Sequence, residues 1–187
     1  MRRWSRVSEY VDKSQWPVWA EEPIIIEEPT PMWQVMGEEE KKKLFTLLGA
    51  FAVKEIEHIG STSIPNLPAK PIIDMMAKIK DFGQLKEIIQ VLEEFDWHYV
   101  PQDLDQREWR RYFVKVHNDK RVAHLHLVKE GTQRWDEHLK FRDTLRENKN
   151  VVQEYASLKK RLAIKFTDDR EAYTEAKSQF IQSIIKQ

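Results

Sequence analysis

Apolar residues along this chain recur at two spacings, and a change of spacing marks a change of secondary structure. From Gly37 the stretch GEEEKKKLFTLLGAF has acids in its first turn, bases after them, and Leu44, Leu47 and Leu48 on one side, which predicts a helix over 33–50. Val53 to Ile59 reads as extended. Pro71 to Ile79 is a nearly continuous apolar run broken by Asp74, the pattern of a strand covered on both faces. Residues 81–95 return to helical spacing, with Leu85, Ile88, Ile89 and Leu92 inward. Strands over 108–116 and 121–129 flank an Asn118-Asp119 turn and make a hairpin. The last third predicts helices over 133–147, 150–166 and 169–186, the last opened by Asp168 with Glu171 three residues on, a capping-box arrangement. Upstream, Ile24-Ile25-Ile26 reads as a short strand ended by Pro29-Thr30-Pro31.

Composition bounds this picture. With 187 residues, 41 % of them apolar, the chain supports one domain with a real core, expected over 23–187 as a core of about 23–130 followed by helices over about 131–187. Residues 1–22 carry Trp4, Trp16 and Trp19 with little periodicity and read as an aromatic arm that docks on that body. The 31 basic residues balance 31 acidic ones, so no net field favours nucleic acid or a membrane surface, and an anionic ligand must be attracted locally. Nucleic acid as the main ligand is disfavoured further by the lack of a basic stripe. Having no cysteine, the chain lacks disulfides, thiolate nucleophiles and cysteine zinc sites. No apolar run approaches the length of a membrane span and the N-terminus lacks an apolar leader core, so a soluble, cytoplasmic protein is expected.

Candidate chemistry concentrates in HIGSTSIPNLPAKPIID, residues 58–74. Gly60 permits close backbone approach, Ser61, Thr62 and Ser63 supply hydroxyls beside backbone N–H groups, and Lys70 adds a positive charge, a combination that can wrap a phosphate. The same residues also fit an ordinary Ser-capped turn. Asp74 shifts the balance, because an ionised acid inside an apolar strand costs several kcal/mol unless it is paired, hydrogen-bonded or metal-bound. A structural ion pair would equally satisfy it. His124 and His126 stand two apart on a strand, so their rings share a side; with His58 and Asp74 they form a candidate functional group.

These residues carry a resemblance. The block EHIGSTSIPNLPAKPIIDMM closely resembles the GrpB family, and the resemblance continues through RRYFVKV (110–116), AHLHLV (123–128), WDEHLKFRDTLR (135–146) and DDREAYTEAKSQFI (168–181). The family looks like a divergent branch of the nucleotidyltransferase fold shared with DNA polymerase β. The resemblance implies an α/β (α+β) protein, a mixed sheet flanked by helices with a C-terminal helical layer, a Gly-Ser turn for a triphosphate, and strand acids for magnesium. Family members that look fused to a dephospho-coenzyme A kinase domain point toward coenzyme A or nucleotide metabolism, though this chain has no GxxxxGK[ST] loop. It also departs from the transferase pattern. Two acids one residue apart would share a strand face and hold paired Mg²⁺, but here Asp74 is followed by Met76, a thioether that a hard cation refuses. Where a third acid would come from a later strand, AHLHLV offers His124 and His126, which with one carboxylate make a set suited to Zn²⁺, Mn²⁺ or Fe²⁺, or to no metal.

Helical projection adds bases to the list. Arg142 falls beside Trp135 and Leu139, Lys159 beside Tyr155 and Phe166, and Lys177 among Tyr173, Phe180 and Ile184, each on an inward stripe. They either snorkel, pair with buried acids, or join Arg110 or Arg111 around a shared anionic pocket. The expectation is a pocket for a nucleotide or other phosphorylated small molecule. Gly60, Ser61, Thr62, Ser63, Lys70, Arg111, Arg142, Lys159 and Lys177 would surround the phosphates. Asp74, His124 and His126 would be the catalytic groups and, with His58, ligands for Mg, Mn or Zn. Nucleotidyl transfer is then the concrete reaction. A catalytically inactive regulatory module, or a metal-dependent hydrolase or phosphotransferase, are the alternatives.

Overall fold

Strand β2 (Ile73–Ile79) is the apolar run that the sequence marked, and it lies inside a five-stranded sheet. On one side it pairs antiparallel with β1 (Ile56–Ile59), and on the other parallel with β5 (Lys120–Lys129). Antiparallel pairing then adds β4 (Arg110–His117) and the edge strand β3 (Trp97–Val100), giving the order β1-β2-β5-β4-β3. The computed structural model describes Trp19 and residues 22–186. The aromatic arm expected over 1–22 therefore lies mostly outside the described residues; Trp19 itself stacks on His98 with centroids 5.8 Å apart.

Both faces of β2 are covered, as its composition requires. Helices α1 (Met32–Leu48) and α2 (Leu85–Glu93) bring Leu44, Leu48, Ile88 and Leu92 against Met75 and Ala77. On the opposite face, Trp135 of α4 (Gln133–Glu147) packs on Ile59, Met76 and Val128. Helices α5 (Lys149–Lys165), α6 (Arg170–Ala176) and α7 (Ser178–Ile185) complete that layer. Ile64 and Leu67 of the β1–β2 connection are buried among Leu145, Tyr155 and Ile184, so this connection is clasped between sheet and helices. The mixed α/β class and the C-terminal helical layer are those expected.

Local differences have local causes. Ile24–Ile26 is not a strand: Ile24 N–H bonds to Thr167 O (2.8 Å), and the extended contact is a single bridge between Glu27 and Ala69. Pro29 on one side and Pro68 and Pro71 on the other remove the donors a ladder would need. The four-residue β3 and the single-turn α3 (Gln102–Asp105) were not anticipated, being too short for either periodicity to register. The helix expected over 169–186 is interrupted at Lys177, so that α6 packs on α5 while α7 packs on α4. Its cap is Asp169, accepting from Ala172 N–H at 2.9 Å, rather than Asp168. The hairpin turn at Asn118 and Asp119 has φ of +49° and +57°, the twist a two-residue connection requires.

Candidate functional site

The parallel register of β2 and β5 sets Asp74 beside His124 and Met76 beside His126. Alternate positions share a face, so all four side chains look toward the C-terminal helices. His124 Nδ1 donates to Asp74 Oδ1 at 2.8 Å. Burial works to raise the Asp74 carboxyl, but the hydrogen bond and charge of His124 and the ammonium of Lys70 outweigh it and hold it below the usual carboxylate range. Burial lowers His124 in spite of Asp74. At neutral pH the pair is therefore an aspartate and a neutral imidazole protonated on Nδ1. The other ring nitrogen, Nε2, is a lone-pair acceptor buried without a hydrogen-bond partner among the described residues.

Gly60 brings the chain against this pair. Its backbone (φ +70°, ψ −171°) is one that glycine alone adopts readily, and an added Cβ would run into the Asp74 carboxylate. The hydroxyls that follow divide between scaffold and site. Ser63 Oγ donates to Gly60 O (2.7 Å); Thr62 Oγ1 donates to Ile72 O (3.0 Å) and so accepts from His58 Nε2 (3.0 Å). These two hydroxyls brace the turn and are not free for a ligand. Ser61 is half-buried and hydrogen-bonds the Tyr155 hydroxyl. The backbone N–H groups of Ser61 and Thr62 donate to no described group.

Around the turn lie cations with little to offset them. Lys70 precedes β2 and Lys177 stands at the α6–α7 break; their Nζ atoms lie 5.4 and 4.1 Å from the ring centroid of Tyr173. Lys159 Nζ lies 5.0 Å from the Tyr155 ring centroid and donates to Pro68 O. Neither Lys70 nor Lys177 makes a hydrogen bond or ion pair to a described residue. Burial, with the charges of Lys177, Arg170 and Arg121, pushes Lys70 down to about 7; burial pushes Lys177 to about 8, with Asp74 opposing, and burial with the other two lysines takes Lys159 to about 6. Arg170 is held by Glu22 (3.1 Å) and Arg121 by the carbonyl of Trp19 (2.7 Å). Asp74 is the acid whose charge reaches both Lys70 and Lys177.

Several expected members stand elsewhere. His58 pairs in register with Met75, on the α1 side of the sheet, where Gly37 allows close approach; burial takes it down to about 4. Arg111 shares a face with Leu127 and lies over Phe82 (4.2 Å), again on the α1–α2 side. His126 does face the helices, but its Nδ1 accepts from Arg110 Nη1 (2.6 Å), and Arg110 is held in turn by Asp105. Burial and that guanidinium push the His126 imidazole well below its ordinary value. Arg142 is spent on Glu57 and Asp143 (2.7 Å each) and on His58 O (3.1 Å). Met76 is fully buried beneath Trp135. Among the described residues no three His, Asp or Glu side chains gather as metal ligands. The donor set does not fit the paired magnesium ions of a nucleotidyltransferase.

Sequence reasoning missed Arg121, Arg170, Arg146 and Tyr112. Arg146 straps the turn through two bonds to Ser63 O (3.0 and 2.9 Å), and Tyr112 lies in register with His126, near enough to Asp74 and Arg121 to feel both charges. Alternation along β4 was the usable signal: it places Arg110 and Tyr112 with the site and Arg111 away from it.

A family model described as GrpB protein matches residues 23–187. The chain belongs to the GrpB family. A solved GrpB structure from Enterococcus faecalis is 36 % identical, with a TM-score of 0.77, covering 87 % of this chain and 95 % of that one. The glutamate-rich protein GrpB of Alkalihalophilus pseudofirmus is 32 % identical over 88 % of this chain and 95 % of its own length. YqkA of Bacillus subtilis is 38 % identical over 81 % of this chain, and the match spans 43 % of that longer protein. Among the described residues of this GrpB-family chain, no helix is long and apolar enough to cross a membrane.

Proposed function

We propose that this GrpB-family chain binds a nucleotide or another phosphorylated small molecule, with the phosphates lying over Gly60 and Ser61 between Lys70 and Lys177. The observation that carries the reading is the pair of half-buried lysines, Lys70 and Lys177, each without an ion-pair partner among the described residues, beside a glycine turn pressed against Asp74. Grouping like charges out of water is unfavourable, and a phosphate placed among them reverses the sign of that interaction. Thermal unfolding in the presence of nucleoside triphosphates and inorganic pyrophosphate tests it. A ligand at about a hundred times its Kd adds roughly 2.7 kcal/mol of stability. Absence of any stabilisation across the series overturns the reading.

One observation favours a catalytic version. The unpartnered Nε2 of His124, with Nδ1 fixed by Asp74, is arranged to accept the proton of a ligand hydroxyl. Turnover of a bound triphosphate, read as phosphate or pyrophosphate release and lost in His124→Gln with binding retained, would support it. Binding without turnover in the unaltered protein leaves a binding module.

A further inference from the structure

We infer that this pocket takes a diphosphate-type anion directly on lysine ammonium groups, with Lys70 and Lys177 supplying the neutralising charge that a divalent cation would otherwise bring. The inference rests on the phosphate-binding reading above and adds the source of charge. Three features of the site lead to it.

The groups that would hold a cation are already committed. Asp74 Oδ1 accepts from His124 at 2.8 Å, and Gly60 lies so close to Oδ2 that even a methyl group there would collide. The next position on the same face is Met76, sealed beneath Trp135, and the one after it on β5 is His126, whose Nδ1 is filled by Arg110. A hard cation needs several oxygen ligands, and this face supplies one carboxylate.

Positive charge is meanwhile supplied by the chain itself, from two separate elements. Lys70 comes from the β1–β2 connection and Lys177 from the break between α6 and α7, while Lys159 of α5 is held on Pro68 O. Lys70 and Lys177 both lie against one aromatic ring, that of Tyr173, a contact that consumes no hydrogen-bond donor. Arg121 and Arg170, tied to Trp19 and Glu22, deepen the field without entering it as free groups. Two ammonium groups gathered at one ring can each take an oxygen on a different phosphorus atom of a diphosphate, which a single tetrahedral ion does not offer.

Isothermal titration of the full chain with inorganic pyrophosphate, once in excess EDTA and once in MgCl₂, tests this. The expected result is the same affinity within about threefold in both, and a loss of about tenfold or more in each of Lys70→Met and Lys177→Met, the scale of one charge-assisted hydrogen bond. Methionine keeps an apolar stem of similar length and removes the ammonium group, and circular dichroism checks that each variant folds. Inorganic phosphate should bind more weakly than pyrophosphate. Binding that appears only with Mg²⁺ overturns this inference and leaves the phosphate-binding reading intact. No binding of pyrophosphate in either condition overturns both. Affinity unchanged in both lysine variants overturns the assignment of these residues.

Discussion

The carboxylate of Asp74 lies 2.8 Å from Nδ1 of His124, across a parallel pair of strands whose register places the two residues side by side. This bond keeps an acid charged inside an apolar strand and fixes the imidazole tautomer. Asp74→Asn removes the charge that orients the ring and weakens the pair, which should cost about 1–3 kcal/mol in urea unfolding. Imidazole ¹⁵N spectra at neutral pH should show His124 neutral and protonated on Nδ1 in the unaltered protein. A ring protonated on Nε2 would contradict the geometry.

Gly60→Ala should be costly for two separable reasons. The backbone at φ +70° disfavours any other residue, and the new Cβ must displace the Asp74 carboxylate. A loss of about 1–3 kcal/mol is expected, accompanied by a change in the His124 resonances. Gly131→Ala, also at positive φ but with open space around it, should incur backbone strain alone and leave His124 unmoved.

Position 76 decides whether a magnesium site was lost by one substitution. Met76 is enclosed by Ile59, Val128 and Trp135, so Met76→Asp places an unpaired carboxylate in an apolar cluster. A loss of about 3–5 kcal/mol in urea unfolding is expected, with no gain of Mg²⁺ affinity. Tight magnesium binding by a stable Met76→Asp protein would show that the site needs only its second acid.

Acid should destabilise the fold through its histidines. Burial, against the opposing pull of Asp74, takes His58 to about 4 from an ordinary 6.5, so the folded state refuses a proton that the unfolded chain accepts. That contribution is fully present above 6.5 and is lost as the pH falls toward 4, about 3 kcal/mol over the window. Asp74, held below its usual range, gives a loss of the same sign at lower pH. Lys70 and Lys177 act on the other side: both are lowered, so stability should rise as pH climbs from about 7 or 8 toward 10.5. Ligand binding has the reverse dependence. Affinity for sulfate, whose own charge is constant there, should fall over that range as Lys70 loses its proton in a field set by Lys177, Arg170, Arg121 and Asp74. Urea unfolding and sulfate titrations across pH check both signs.

Much of the layout was legible because the signals were long. The covered run of β2, the two-residue hairpin turn and the amphipathic helices each rest on many residues, and helix α4 runs over the span its pattern predicts. The site was legible in part. Gly60, Ser61, Asp74, His124, Lys70, Lys159 and Lys177 do come together, since a glycine turn, an acid within a strand and bases on apolar stripes each violate a local rule. Thr62 and Ser63 were drawn in by adjacency alone, and the structure shows their hydroxyls bound to backbone. His58, Arg111 and Arg142 illustrate the larger difficulty: strand parity and long-range pairing decide their surroundings. Register cannot be read before the partner strand is known. Arg121 and Arg170 belong to the pocket through contacts with Glu22 and Trp19 about a hundred residues or more away in the chain, which no spacing pattern encodes.

The most direct test of where phosphate binds is a titration of the ¹⁵N-labelled protein with inorganic pyrophosphate, followed by amide spectra. The first and largest shifts should fall on the amides of Gly60, Ser61 and Thr62 and on Lys70, with His124 ring resonances moving alongside. Saturable shifts confined to another region, such as the hollow of about 260 Å³ between α1 and the β4–β5 hairpin, would contradict the account.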